Sequence, residues 1–414
     1  MKPCKIEVAT QSKYERNHTI MLYSDYYNEN SVLFKGFIVK SFKENSNGDY
    51  EAHVELPIKE QTCPYCNHKT SYIKDYRIQN IKDLSLIGRP LFIFLRKTRY
   101  YCPYCNHSFT ESNPLIRRYQ HFTDRFYKYI YKELQHKQSY KLVAERLGVS
   151  LTSVIRWFDN ISFSKAELPE CFSIDEFRGN ANNEKFQCNV TDPVKHKVLD
   201  ILPSRRLEEL CAHFTKYPLE ERLKVKLISM DMSNLFRSAA HILFPNAKIV
   251  VDKFHVIRQV LWSLENVRKR IQKQFHKDRR RWFKNSKALL LKPSNKLSIE
   301  DKLVRNRMLA ASYELERAYV LKERFYRLFR NKTKEEAKKY LQSWLLMAAN
   351  FKIPEFKHCI TTFTKWADEI ANIVKYKITN GYTEGINNKI KVLKRISFGI
   401  RNFERFRNRI LYLQ

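Results

Sequence analysis

The chain has 414 residues, 43% of them hydrophobic and 14% aromatic, which is enough apolar side chain to bury a sizeable core and excludes global disorder. Lysine and arginine number 77 against 43 aspartates and glutamates, a net charge of +34 that favours nucleic acid as the partner over a merely solubilised surface. No run approaches the ~18 consecutive apolar residues of a membrane span, and Met1-Lys2-Pro3-Cys4-Lys5 lacks the apolar core of a secretory signal, so a soluble, cytoplasmic protein is expected.

Residues 1–60 form an N-terminal region of unclear role, with a turn expected at 44–49. Next comes a repeated hexapeptide. Cys63-Pro64-Tyr65-Cys66-Asn67-His68 returns as Cys102-Pro103-Tyr104-Cys105-Asn106-His107, with strand-like residues at 91–101 between. Nine cysteines, an odd number with two tight pairs, argue for metal binding rather than a disulfide framework. Cys63, Cys66, Cys102 and Cys105 supply the four thiolates of a tetrahedral Zn²⁺ site, leaving no open position for catalysis. The alternatives are unrelated buried thiols or a redox pair, and the doubled motif disfavours both. A structural zinc-binding domain is therefore expected over 61–112, with His68 and His107 on its surface.

Residues 113–165 read as a helix-turn-helix domain. Ser139 can cap a first helix, Ala144 allows a close crossing, and Gly148 permits the turn. A second helix starts at Ser150 or Thr152, with Val154, Ile155 and Phe158 inward and Thr152, Ser153 and Arg156 free to face a major groove. An ordinary helical hairpin has the same pattern; the basic charge and the zinc motif favour DNA.

Beyond Pro169 short apolar runs alternate with helical stretches. Strands are expected at 171–177, 186–190, 197–202, 225–230 and 247–251, and helices at 206–216 and 233–244, giving a mixed α/β sheet flanked by helices. Residues 257–376 lack glycine and suit a block of packed helices with breaks at Pro293 and Pro354. A last helical stretch runs from 383, interrupted near Ser397-Phe398-Gly399.

Asp175 and Asp231 end apolar strands, and Glu384 opens the late helix. Clustered carboxylates repel one another, and divalent cations remove that penalty. Two such ions, Mg²⁺ or Mn²⁺, suit in-line phosphoryl transfer. Composition alone does not choose among Asp175, Asp192, Asp200, Asp231 and Asp252, and a strand-end turn or a helix N-terminal charge is the competing reading for each acid.

Four motifs in order narrow the choice: Ser173-Ile174-Asp175-Glu176-Phe177, Met230-Asp231-Met232-Ser233, Val251-Asp252-Lys253-Phe254-His255-Val256, and Glu384-Gly385-Ile386-Asn387-Asn388-Lys389-Ile390-Lys391. With the knuckles and the helix-turn-helix, they resemble the ISL-three family of bacterial insertion-sequence transposases from about residue 60 to the C-terminus. The late block through Gly399-Ile400-Arg401-Asn402-Phe403 is its most specific part. The resemblance implies a DDE transposase with an RNase H-like catalytic core over 166–414 and a large all-helical insertion at about 257–376. It implies Asp175, Asp231 and Glu384 as the catalytic, Mg²⁺- or Mn²⁺-binding acids. Asp252 and His255 look like a supporting Asp-x-x-His element, with a helix-capping histidine as the alternative.

Two basic stretches complete the reading. Arg268, Arg270, Arg279, Arg280 and Arg281 crowd one segment with Trp282 and Phe283, and are expected to bind phosphates in preference to forming a solvated face. Lys391 and Arg395 lie at helical spacing from Glu384 and would run a DNA backbone past the metals. The expected function is binding of terminal inverted repeats, metal-dependent cleavage and strand transfer into target DNA, by a homodimer or larger assembly at the bacterial nucleoid. A non-catalytic DNA-binding regulator or a nuclease that cuts without joining are the alternatives.

Overall fold

The computed structural model describes residues 33–117 and 119–413, so residues 1–32 of the N-terminal region lie outside it. The chain divides into two compact units, Met1–Asn160 and Ile161–Gln414. No helix among the described residues is long and apolar enough to cross a membrane.

In the first unit, β1 (Ile38–Glu44) and β2 (Tyr50–Glu55) form a hairpin. Its turn is held by the Asn45 side chain, which accepts from the backbone N–H of Asn47 at 2.9 Å and of Asp49 at 3.0 Å. The short pair β3 (Gln61–Thr62) and β4 (Lys69–Thr70) frames the first knuckle. The long strands β5 (Ile73–Leu86) and β6 (Arg89–Tyr101) are antiparallel, and β7 (Ser108–Thr110) pairs with the end of β6. β2 pairs with β6 in parallel, giving the order β1-β2-β6-β5.

Residues 38–55 thus belong to the sheet that carries the knuckles. The region expected to bind zinc, 61–112, therefore shares its sheet with residues 38–55. The period of two along β6 turns Leu91, Ile93 and Leu95 to one face, which Ala52 and Val54 of β2 extend and against which Phe34 and Phe37 pack.

Three helices follow: α1 (Asp124–Leu134), α2 (Tyr140–Leu147) and α3 (Leu151–Asp159). Thr123 caps α1 and donates its hydroxyl proton to Asp83 at 2.6 Å, and the Arg125 guanidinium donates to the same buried carboxylate. A buried Asp on β5 therefore fastens the helices to the sheet.

The second unit is built on a sheet of order β10-β9-β8-β11-β12. β8 (Cys171–Phe177), β9 (Gln187–Asp192) and β10 (Lys197–Leu202) form an antiparallel meander; β11 (Leu227–Met230) and β12 (Lys248–Val251) run parallel to β8. The connecting helices are α4 (Leu207–Phe214), α5 (Leu219–Leu223) and α6 (Asn234–Leu243). Phe172, Val190, Leu210, Phe214, Ile228 and Phe236 pack there into one core.

The helical block begins at Lys253, earlier than residue 257, because Asp252 caps its first helix directly after β12. It comprises α7 (Lys253–Gln274), α8 (Lys277–Phe283), α9 (Ser286–Leu291), α10 (Ile299–Leu309), α11 (Tyr313–Arg327), α12 (Lys334–Phe351), α13 (Lys357–Lys365) and α14 (Ala367–Tyr376). Leu264, Leu321, Phe325, Trp344 and Phe363 form its core. The buried Trp344 indole donates to the Leu321 carbonyl at 2.8 Å, satisfying its one polar atom. Asn372 of α14 donates to the Ile249 carbonyl at 2.7 Å and ties the block back to the sheet.

α15 (Gly381–Ile396) and α16 (Phe403–Leu411) follow. Ile386, Ile390, Leu393 and Phe406 pack with Phe177, Val198 and Ile201 in a separate core.

Candidate active site

Parallel register brings the first two acids level. Leu227 is paired with Cys171, Ile228 with Phe172 and Ser229 with Ser173, so Asp231, just beyond β11, falls opposite Asp175 in β8. The next pair repeats the device: Met230 is paired with Val251, and the Asp252 N–H donates to the Met230 carbonyl at 2.9 Å. Asp175, Asp231 and Asp252 therefore form a row at the carboxyl ends of three adjacent parallel strands, where α/β sheets place ligand sites.

Helix α7 closes the row. The Asp252 side chain accepts from the Phe254 N–H at 3.2 Å, which fixes the first turn and directs His255 back over the strand ends. His255 Nδ1 contacts Asp231 Oδ1 and lies 3.4 Å from Asp252 Oδ2. Ligand atoms of Asp231, Asp252 and His255 all lie within 4.8 Å of one another.

Helix α15 approaches from the face of β8 that carries Asp175. Asn387 Nδ2 donates to Asp175 Oδ2 at 2.8 Å, and Asn387 Oδ1 accepts from Asn189 of β9 at 3.3 Å. The hydroxyls of Thr191 and Thr383 meet at 2.7 Å, both fully buried. Glu384 follows Thr383 directly, one turn before Asn387. It is exposed and lies outside the tight Asp231–Asp252–His255 group, but its charge is felt at Asp252. Asn387 was not singled out from the sequence. An Asn three residues past a helical Glu shares its face, and that spacing was the available signal.

The electrostatics are those of a crowded anionic site. Burial, then the Asp231 charge, push the Asp175 carboxyl up to about 7. Burial raises Asp252 as well, with smaller contributions from Asp231 and Glu384. For His255, burial opposes protonation, but the hydrogen bond and charge of Asp231 outweigh it and its pKa is raised. Buried, mutually repelling hard oxygen donors are what a divalent cation relieves, so these residues fit such ions.

The cysteines converge as the repeat predicts. The Sγ atoms of Cys63 and Cys105 are 3.6 Å apart and those of Cys66 and Cys102 3.5 Å, with all four within 4.8 Å of one another. Thiolates ~2.3 Å from a central zinc would sit at such separations. Asn67 and Asn106 take left-handed φ of 59° and 58°, closing two matching knuckles. Tyr65 stacks on His107 and His68 on Tyr104, at 4.4 and 4.3 Å, so the two histidines serve the knuckle surface.

In the helix-turn-helix, Gly148 has φ +58° and the Ser139 and Ser150 side chains cap α2 and α3. Thr152 and Arg156 are exposed and Ser153 is half-buried. Trp157, rather than Ile155, joins Val154 and Phe158 inside, packed edge-on against Phe122 and Tyr127.

The basic residues divide into two groups. Arg268 is only 6% exposed and donates to both Glu265 oxygens, and Arg270 bridges Glu314 and Glu355. The Arg268 guanidinium is neutralised within its own helix and that of Arg270 ties α7 to Glu314 and Glu355, so carboxylates rather than phosphate engage both charges in this structure. Arg279, Arg280 and Arg281 are exposed on α8, as are Lys391 and Arg395 on α15.

Comparison with known proteins agrees with this arrangement. A DDE family model of the ISL3 type, described as "Transposase", matches residues 172–410. A "zinc-finger of transposase IS204/IS1001/IS1096/IS1165" matches 59–105, and a "Helix-turn-helix domain of transposase family ISL3" matches 111–162. The transposase for insertion sequence element IS1001 of Bordetella parapertussis is 25% identical over 84% of this chain and 87% of its own length. The transposase for insertion sequence element IS1557 of Mycobacterium tuberculosis is 34% identical over 21% of this chain and 20% of its own. A Lactococcus lactis protein named ATP-dependent protease is 39% identical over 16% of this chain and 22% of its own.

Proposed function

Because this chain belongs to the ISL3 family of transposases, we propose that Asp175, Asp231 and Glu384 are its catalytic acids and that they cut and join DNA at the ends of an insertion sequence. The observation that carries the reading is the pairing of two strand-end aspartates in parallel register with a glutamate helix, α15, tied to the first of them through Asn387. The sheet order, an antiparallel meander extended by two parallel strands, supports reading the core as RNase H-like and α7–α14 as a helical insertion before the glutamate helix. Cys63, Cys66, Cys102 and Cys105 would hold a structural zinc.

Asp175, Asp231 and Glu384 would hold two Mg²⁺ or Mn²⁺ ions, which supply an activated attacking oxygen and stabilise the leaving one. Asp252 fixes the first turn of α7, and His255 keeps the Asp231 carboxylate aimed at the site. Asn387 orients Asp175. In the first displacement water attacks phosphorus and a 3′-hydroxyl is released. In the second that hydroxyl attacks target DNA, so one site serves both. Thr152, Ser153 and Arg156 face the terminal inverted repeats, while Arg279, Arg280, Arg281, Lys391 and Arg395 carry backbone phosphates. Paired ends call for a homodimer or larger assembly, working at the nucleoid in the cytoplasm.

The test is Asp175→Asn. It abolishes end cleavage while end binding, set by phosphate and base contacts elsewhere, stays within about threefold. Retained cleavage refutes the assignment.

A further inference from the structure

A cavity of about 200 Å³ opens beside Asp231 and His255, and Arg205, Arg258 and Trp262 also line it. A phosphodiester approaching a row of carboxylates meets repulsion, so cations in the same cavity matter to the chemistry. Arg258 lies one helical turn beyond His255 on α7. It differs from the other α7 arginines already described, Arg268 and Arg270, whose charges carboxylates neutralise. Arg258 has no ion pair among the described residues. Its guanidinium is held by rings instead, one turn away on each side: Phe254 at 5.4 Å and Trp262 at 4.9 Å from Cζ to ring centroid.

Those rings are 50% and 57% exposed. They hold the cation in place without cancelling its charge. Arg258 Nε is buried and has no hydrogen-bond acceptor. A buried donor without an acceptor is costly, and an incoming oxygen would satisfy it. On the same cavity wall as Glu176, Arg205 donates to Glu176 at 2.6 Å and stacks 4.6 Å from the Phe186 ring.

We propose that Arg258 is a catalytic residue that binds a non-bridging oxygen of the phosphodiester being cut. The inference rests on the active-site reading above. As the attacking water oxygen bonds to phosphorus, the bond from phosphorus to the 3′-oxygen breaks. Its electron pair stays on that oxygen, which takes up a proton, and the water gives up one. Midway, the equatorial oxygens carry the extra negative charge. A preplaced guanidinium donates hydrogen bonds there and transfers no proton itself.

The test uses the full chain and end duplexes in which each non-bridging oxygen at the cleaved bond is replaced in turn by sulfur. Arg258→Ala slows single-turnover cleavage on the order of 10²- to 10³-fold, the loss typical of one preorganised donor. Arg258→Lys recovers only part of that, because an ammonium lacks the planar fork. In the native chain sulfur at one of the two positions slows cleavage, and in Arg258→Ala that particular penalty disappears. A structural role would slow all substrates alike and leave the sulfur penalties intact, and that result overturns the proposal, as does undiminished cleavage. A second arm needs no cleavage: with no divalent cation added, an uncharged methylphosphonate at the same bond weakens binding to the native chain but not to Arg258→Ala. Equal weakening in both also overturns it. Failure of the active-site reading looks different, because Asp175→Asn would then still cut.

Discussion

Cys63 and Cys66 are brought together by one turn, and Cys102 and Cys105 by a copy of it, so each half of the zinc site forms within six residues. Asp175 and Asp231 come level only across a sheet, and the helix that carries Glu384 follows only after the whole helical block. The first constellation is closed by four protein ligands. The second is left open, its acids crowded enough that burial and a neighbouring charge lift Asp175 to about 7. A local site can be made tight and inert, whereas a site assembled from strand ends and a distant helix keeps a face for substrate. The contrast also sets what each is expected to tolerate: loss of metal should unfold the first, and loss of positioning should disable the second.

The sharpest way to break this contrast is to remove the zinc. Structural Zn²⁺ contributes roughly 10 kcal/mol or more of binding free energy that is also folding energy. Cys102→Ser or strong chelation is therefore expected to erase amide-exchange protection across the described part of the first unit and abolish end binding, while the second unit, with its own cores, stays protected. Protection that survives chelation throughout residues 33–160 would show that the sheet, not the metal, holds that unit.

Next in size is the positioning of the open site. Asn387→Leu removes the donor to Asp175 and leaves Asn189 without its acceptor. Cleavage and apparent divalent-cation affinity are expected to fall together by about 10- to 100-fold, as for other groups that orient metal ligands. A cation titration of the cleavage rate checks this; an unchanged midpoint would mean that α15 needs no such tie.

A smaller effect follows from the sign of the Asp175 shift. Its folded pKa is raised above the unfolded value, so without a cation stability falls as pH rises from about 4 to about 7 and is then level. A divalent cation favours the ionised form and offsets that loss. Added Mg²⁺ or Mn²⁺ should thus raise the melting temperature of the chain more at pH 8 than at pH 6. Thermal scans at the two pH values, with Asp175→Asn as reference, decide it, and equal increments would remove Asp175 from the ligand set.

Smallest is the change expected on α8. Combining Arg279→Gln, Arg280→Gln and Arg281→Gln should lower the slope of log affinity against log salt by about 3, with preference for the inverted repeat retained. An unaltered slope would leave α8 a solvated face.

Much of this was legible in the residues. The doubled Cys-x-x-Cys hexapeptide fixed the zinc ligands, because a tetrahedral ion needs those thiolates and a short turn can present two at once. Strands at 171–177 and 197–202 fell where their apolar runs lie, and the late helices broke at Ser397-Phe398-Gly399. Other features were hidden. Residues 38–55 carry too little pattern to reveal that they pair with β6, since strand pairing is decided by which faces need covering. A run of arginines looks alike whether it meets phosphate or glutamate. Arg268 and Arg270 find Glu265, Glu314 and Glu355, two of which come from other parts of the helical block.

By itself the sequence determined many of the elements beyond residue 60, the four cysteines as a metal-binding set and the family, because hydrophobic period, turn residues and short motifs act over a few neighbouring positions. Only the tertiary structure decided that Asp252 and His255 stand against Asp231, that Asn387 ties the glutamate helix to Asp175, and that Arg258 is held by rings rather than by a carboxylate. Those contacts depend on strand register and on helix docking, where a shift of one residue turns every side chain to the opposite face.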